Sequence, residues 1–448
     1  MKKRVLKIFQ LLFAFSLLLS ASGCRFPLAK DDRPNFLIIV TDDQRFDTMD
    51  YMPNTQKLIF DQGVTFSSGY ITTPFCCPSR SSILTGLYAH NHYVFVNTDK
   101  LRLPTVVEDL HKNGYYTGLV GKYLNSWNGE ARPEFDYWVS FYGGTVPSYY
   151  DPELNINGTW EKKTGYMTYL FEDYVKEYLD KATGQRKPFF LLFAPNAPHA
   201  PFTPLKEDKG LLTDLPPFRP PNYNEEDISD KPSSIANKPL LDEEVATDID
   251  NTRRRQLLTL ISLDRSIGAI MEKLKETGEL DNTVVIFISD NGKHWGEHRM
   301  DTKSTAYEEA VKVPFAMRYP PLIPTPYIDD GLVANIDIAP TVYELSETKM
   351  PEVIDGLSLV NLLTRKGDWR SSLLLEAWPD RGNWVSIHTD QYVYIETVND
   401  KSEFYDLAVD PYEMENAIDD PQYQSIIQQL KQELQKDKEP RIPEPPEE

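Results

Sequence analysis

Four apolar runs, each ending in polar residues that packing does not explain, restrict the folds open to this chain more than any other feature. Residues 35–41 lead into Asp42-Asp43, 116–120 into Gly121-Lys122, 189–194 into a proline-rich loop carrying His199, and 284–289 into Asp290-Asn291-Gly292. Runs without polar alternation read as strands buried on both faces, and such strands occur in mostly parallel sheets covered by helices. Helical segments lie between them. Thr105 and Glu108 have the spacing of a capping box and Gly114 supplies a stop, which predicts a short helix over 105–112. Leu257, Ile261, Leu263, Ile267, Ile270 and Leu274 recur at helical spacing across 253–275, and Gly278 closes that segment. The fold class that follows is α/β, a large mostly parallel sheet sandwiched by helices, with a smaller C-terminal α+β subdomain. Open sheets of this kind bind ligands beyond the carboxyl ends of their strands, so chain order predicts that Asp42-Asp43, Lys122, His199 and Asp290-Asn291 meet at one edge.

The ends of the chain read differently from its centre. Lys2, Lys3, Arg4 and Lys7 precede an apolar run from Val5 to Leu19, and Ser20-Ala21-Ser22-Gly23 then leads into Cys24, the pattern of an exported precursor with a signal peptide over 1–23. The small residues before Cys24 resemble a bacterial lipobox, which predicts a lipid on Cys24 and a membrane-anchored, periplasmic or cell-surface protein; ordinary signal cleavage nearby is the alternative. Removing 1–23 takes away four positive charges and no acidic ones, so the net charge moves from −21 to −25. Nucleic acid is excluded as a partner on that balance, and an anionic substrate must be met by a local basic pocket. Residues 24–34 read as a tether and 35–350 as the large α/β domain. In 351–438, short strands at 372–377 and 391–396 and a helix near 423–434 make an α+β subdomain. The acidic, proline-rich tail 439–448 is expected to be disordered. Residues 201–250 lack periodicity and read as a long loop or rim. That rim, 142–165 and 378–384 are the segments expected to carry specificity.

The chemistry-bearing residues sit at these strand ends and in Cys76-Cys77-Pro78-Ser79-Arg80, which runs on to Leu84-Thr85-Gly86. Pro78 favours a helix start, which places Cys76 near a helix N-terminus, an end that attracts anions, with Arg80 one turn on. A cysteine pair alone packs as a small hydrophobe. Asp42, Asp43, Asp290 and Asn291 offer hard oxygen ligands, suited to Ca²⁺ or Mg²⁺ better than Zn²⁺, whereas each motif alone is also a helix cap or a turn.

Taken together these motifs resemble the sulfatase family over nearly the whole mature chain. The resemblance is carried by Thr41-Asp42-Asp43-Gln44, the cysteine motif, Gly121-Lys122, Pro198-His199-Ala200-Pro201, Ser289-Asp290-Asn291-Gly292, Lys303 before Tyr307-Glu308, Tyr405-Asp406-Leu407 and Asp410-Pro411. It implies a fold like alkaline phosphatase and a sulfate ester hydrolase. Cys76 would be converted to formylglycine by a formylglycine-generating enzyme; one hydroxyl of the hydrate attacks sulfur and the other, on deprotonation, releases sulfate. By the same resemblance one calcium ion is held by Asp42, Asp43, residue 76, Asp290 and Asn291. Lys122 and Lys303 grip the sulfate, His199 assists at the leaving group or nucleophile, and Arg80 supports the formylglycine. Many members carry a histidine two residues after the lysine matched by Lys122; this chain reads Gly121-Lys122-Tyr123-Leu124-Asn125. That run, with the doubled cysteine and His90-Asn91-His92, is similar to the subgroup acting on N-acetylglucosamine 6-sulfate and heparan-type glycans. His92 and His294 are candidates for lining the substrate site, or are hydrogen-bonded structural histidines. Two other readings stand beside this one: a phosphate or phosphonate ester hydrolase of the same superfamily, and a lipoprotein that binds sulfated glycans without hydrolysing them. A two-zinc phosphatase would need several histidine ligands, and of seven histidines only His199, His294 and His298 fall in suitable segments.

Overall fold

Strand Asn35–Thr41, buried along its whole length, lies near the middle of a ten-stranded sheet. From one edge to the other the order is Tyr327–Asp329, Val64–Phe66, Phe315–Arg318, Thr283–Ser289, Asn35–Thr41, Phe189–Ala194, Tyr116–Gly121, Tyr137–Ser140, Glu153–Ile156 and Thr159–Lys162. The structure is a computed structural model that describes residues 31–145, 147–378 and 383–446. The expected signal peptide, the lipid on Cys24, the tether up to residue 30, the middle of the 378–384 segment and the last two residues of the tail lie outside the described residues. Residues 33–448 form one compact unit.

The five central strands, Thr283–Ser289 through Tyr137–Ser140, are all parallel, and antiparallel pairings are confined to the flanks. Thr41 pairs with Ser289, and Gly121 pairs with Ala194, so the residues after these strands emerge side by side at one edge. Alternate side chains of Asn35–Thr41 point into two cores. Leu37 and Ile39 pack with Leu257, Leu260, Leu263 and Ile267 of the helix Glu243–Glu276; Phe36, Ile38 and Val40 join Ile83, Leu84, Val107 and Leu110 on the opposite face. Each such side chain, fully removed from water, contributes about 1.5–3 kcal/mol.

The helix expected over 253–275 is longer: it starts at Glu243, ten residues earlier. Its first turns are mostly polar and bury only Ile249 of their apolar residues. They are held instead by the Asp242 cap, whose side chain accepts from Val245 N at 2.9 Å, and by the Arg219–Asp250 ion pair at 2.6 Å. Within the 142–165 segment, expected only as a loop, the strands Glu153–Ile156 and Thr159–Lys162 form a hairpin on the sheet edge. Asn157 and Gly158 both have positive φ, +50° and +93°, the turn conformation that matches strand twist.

A four-stranded antiparallel sheet, Leu373–Ala377, Trp384–His388, Tyr392–Thr397 and Glu403–Asp406, follows, and helix Gln424–Asp437 covers one face of it with Ile427, Leu430 and Leu434. The tail beyond it is not free. Arg441 pairs with the buried Asp355, its backbone NH donates to Asn91 Oδ1 at 2.7 Å, and the Ile442 carbonyl accepts from the Tyr93 hydroxyl at 2.5 Å. The expectation of disorder for the tail fails over 441–445 because one arginine finds a buried carboxylate that composition does not reveal. Among the described residues no helix is long and apolar enough to cross a membrane.

Candidate active site

Cys76 is the first residue of helix Cys76–Thr85, as Pro78 implies, and Phe75 is its N-cap with extended backbone. The helix is buried along its length, and Gly86, at φ +71°, ends it in the left-handed conformation. Its N-terminal NH groups and dipole point toward the edge where the parallel strands end. Two side chains without a recognisable motif hold it there. Asn97 Oδ1 accepts from Cys77 N at 3.0 Å, and Asn335 donates to Ser79 O at 3.2 Å while accepting from Thr72 N at 3.0 Å. Isolated asparagines at these positions give no signal in the sequence; Asn97 simply follows the apolar run Tyr93-Val94-Phe95-Val96.

The groups read from the strand ends surround Cys76. Its thiol lies 3.6 Å from Asp42 Oδ1, and Lys303 Nζ lies 2.9 Å from its sulfur. The Lys303 ammonium also contacts Asp43 Oδ1 and stands 3.4 Å from Asn291 Oδ1. Lys122 Nζ donates to Asp42 Oδ2 at 2.8 Å, and Arg80 Nε to Asp290 Oδ2 at 2.8 Å. Arg80 also reaches the Lys122 carbonyl at 3.1 Å, so one guanidinium links the helix to two strand ends. His199 Nε2 is 3.7 Å from Asp43 Oδ2, and its Nδ1 lies 3.1 Å from the Ala200 carbonyl. A carbonyl only accepts, so Nδ1 carries a proton and Nε2 is left to exchange one.

Backbone geometry makes these approaches possible. Gly121 has φ +115°, and a Cβ there would sit 2.0 Å from the Ala194 carbonyl, the group that accepts from Lys122 N at 2.8 Å. Asp43 occupies the left-handed region at φ +66°, which costs a non-glycine residue about 1 kcal/mol or more. Its NH on Asp290 Oδ1 at 3.1 Å and the Asn291 amide on its carboxylate at 2.6 Å fix it there.

The electrostatics are dense. Burial pushes Asp42 up, but Lys122, His199, Arg80 and Lys303 together hold it far below the usual carboxylate range. Burial, then Asp42, raises Asp290. Burial works against the charged form of Lys303, yet Asp43 and its neighbours keep that ammonium well above the ordinary lysine range. Burial first, and then Asp290, push the Cys76 thiol up to about 12, so a thiol at this position is protonated near neutral pH. Three carboxylates and three basic side chains thus gather in one cluster around Cys76, close to formal neutrality.

Asp42, Asp43, Cys76 and His199 each bring a ligand atom within 4.8 Å of the others. The set is compatible with a cation and adds His199 to the residues expected as ligands. Asp290 borders it with both oxygens engaged, one on Arg80 and one on Asp43 N. Asn291 turns its Oδ1 toward Lys303. The two histidines considered for the substrate site are not brought to this cluster. His92 accepts from Val94 N at 3.1 Å and meets Ser82 Oγ at 3.1 Å, and burial lowers it to about 3, as befits a neutral structural histidine. His294 bonds Thr305 Oγ1 at 2.8 Å beneath the segment carrying Lys303, and burial followed by His298 holds it well below the usual histidine value. Leu124, where many sulfatases carry histidine, is buried core.

A parallel sheet whose carboxyl edge gathers charges around a helix N-terminus defines an anion-binding α/β centre. The chain belongs to the sulfatase family: the family model Sulfatase matches residues 34–348, and the model N-sulphoglucosamine sulphohydrolase, C-terminal matches 296–440. It is 34% identical over 381 residues to the extracellular sulfatase SULF-1 homolog of Drosophila melanogaster, covering 79% of this chain but only 33% of that protein. It is 33% identical over 395 residues to N-acetylglucosamine-6-sulfatase of Homo sapiens, covering 80% of this chain and 70% of that one. A solved structure in complex with D-glucosamine-2-N,6-O-disulfate shares the fold, with TM-score 0.80 and 24% identity over 90% of this chain and 97% of that chain.

Proposed function

We propose that this protein hydrolyses sulfate esters of a sulfated sugar, with residue 76 matured to formylglycine and one divalent cation, calcium by preference, at the centre. The observation that carries the reading is the convergence of Cys76, Arg80, Lys122, His199 and Lys303 with three aspartates at one sheet edge. Once oxidised, residue 76 presents an aldehyde hydrate, an oxygen nucleophile in place of a protonated thiol. A bound divalent cation supplies a Lewis acid toward a sulfate oxygen. The residues present fit such an ion, since Asp42, Asp43, Asp290 and Asn291 offer hard oxygens and the donor set has a single histidine, His199.

The remaining chemistry belongs to the chain's own side chains. Lys122 and Lys303, fixed by Asp42 and Asp43, hold positive charge on two sides of residue 76, where charge develops as sulfur is attacked. Arg80 anchors the helix N-terminus to both flanking strands. His199 Nε2 takes up or gives a proton at the ester oxygen. The likeness to N-acetylglucosamine-6-sulfatases supports a glucosamine 6-sulfate unit as substrate, a formylglycine-generating enzyme as maturation partner, and export with a lipid at Cys24 as the setting. The test is a pair of rates on the sulfate and phosphate monoesters of one alcohol, with chelator and with added calcium. The sulfate ester should turn over faster, and activity should fall with chelator and return with calcium. Faster turnover of the phosphate ester would overturn the reading.

A further inference from the structure

Beside the centre lies a cavity of about 500 Å³, large enough for more than one sugar ring. Its wall includes Phe75, the residue before Cys76, and Thr302 and Ser304, which bracket Lys303. Trp384 also lines it, held by a bond from its Nε1 to the Ser304 carbonyl at 3.0 Å. Aromatic side chains and hydroxyl-bearing residues on one cavity wall suit a pyranose ring.

The charges on this wall are unequal. Glu403, buried, accepts from the hydroxyls of Tyr307 at 2.6 Å and Tyr405 at 2.7 Å, so that side of the cavity repels an anion and can accept from sugar hydroxyls. Lys238 is the single basic residue lining the cavity among the described residues. Unlike Lys122, Lys303 and Arg80, its side chain makes no hydrogen bond or ion pair with any described residue. Unpaired lysines usually sit on open surface, where water satisfies them. This one is half-buried in a cavity wall and pinned by its backbone: its NH donates to Ile235 O at 2.8 Å, and its carbonyl accepts from Arg299 Nη1 at 2.8 Å. Arg299 belongs to the segment that runs on to Lys303, so Lys238 is held at a set place relative to the sulfate-gripping lysine.

Resting on the sulfatase reading above, we propose that Lys238 is a specificity-determining residue that pairs with a second anionic substituent, a sulfonate or carboxylate, on the sugar whose sulfate faces residue 76. A charge-assisted contact of this kind is worth about tenfold or more in affinity. The test compares N-acetylglucosamine 6-sulfate with its N-sulfonated counterpart, on the matured enzyme and on the Lys238→Ala, Lys238→Gln and Lys238→Arg variants. The wild type should show a KM about tenfold or more lower for the N-sulfonated sugar. In Lys238→Ala and Lys238→Gln that ratio should collapse toward one, with the loss larger in KM than in kcat, and Lys238→Arg should restore most of it. Calorimetric binding of the same two sugars to the Cys76→Ala protein reads the preference without turnover. Equal KM values in the wild type, or a ratio unchanged in Lys238→Ala, would overturn the inference and leave the sulfatase reading intact. Binding preference without hydrolysis by the matured enzyme would overturn the sulfatase reading alone. Failure of both sugars to bind or react would overturn both.

Discussion

At the scale of the residue, Arg80 shows how much one side chain carries. Its Nε bonds Asp290 and one of its terminal nitrogens bonds the Lys122 carbonyl, so a single planar fork fixes the helix start against two strands. Lysine keeps the charge but not the fork. Arg80→Lys is therefore expected to lose about 2 kcal/mol or more of stability in urea denaturation, together with most of the sulfatase activity; unchanged values on both measurements would contradict this account. Leu124, two residues after Lys122, is apolar and buried and offers no proton-transferring group. Cys76, Arg80, Lys122, His199 and Lys303 were all legible as sequence, because each follows a strand or sits in a spaced motif. Lys238 was not, since nothing in a run such as Ala236-Asn237-Lys238-Pro239 distinguishes a cavity lysine from a solvated one.

At the scale of the element, the close approach of Lys122 to its neighbouring strand depends on Gly121. A methyl group there would fall 2.0 Å from a backbone carbonyl that cannot move without breaking the Lys122 hydrogen bond, and φ of +115° is itself hostile to alanine. Gly121→Ala should cost about 3 kcal/mol or more, seen as a loss of soluble protein or of near-ultraviolet circular dichroism. The long helix offers a milder case: Asp242→Ala removes its cap and should cost about 1 kcal/mol in urea denaturation, with activity retained. The central strands were readable because burial on both faces leaves continuous apolar runs. The start of the helix at Glu243 was not, because its first turns bury only Ile249 and rely on a cap and an ion pair. The hairpin at Asn157-Gly158 was a missed signal of the ordinary kind, a turn dipeptide whose flanking strands are short and largely exposed.

At the scale of the whole molecule, the C-terminal sheet is joined to the helix layer near Cys76 by polar contacts more than by motif. His90 Nδ1 lies 3.0 Å from Glu376 Oε2 on strand Leu373–Ala377, and although burial works against its charge, the Glu376 hydrogen bond raises the histidine above its ordinary value. A group raised on folding stabilises most below its unfolded value, about 6.5, and loses that contribution as pH climbs through the higher folded one. The stability difference between wild type and His90→Gln should therefore be largest near about pH 6 and shrink by about pH 9; a difference that grows with pH would contradict the assignment. Asp355 and Glu376 became visible as partners of Arg441 and His90 only in three dimensions, since each pair spans more than eighty residues of sequence. The central claim, that residue 76 is an oxidised nucleophile in a sulfate-hydrolysing centre, is tested most directly on the whole protein co-expressed with a formylglycine-generating enzyme. Mass spectrometry of the peptide containing residue 76 should show an aldehyde in place of the thiol, in proportion to sulfate released from N-acetylglucosamine 6-sulfate, with Cys76→Ala inactive. Sulfate release at full rate from protein whose Cys76 remains a thiol would contradict it.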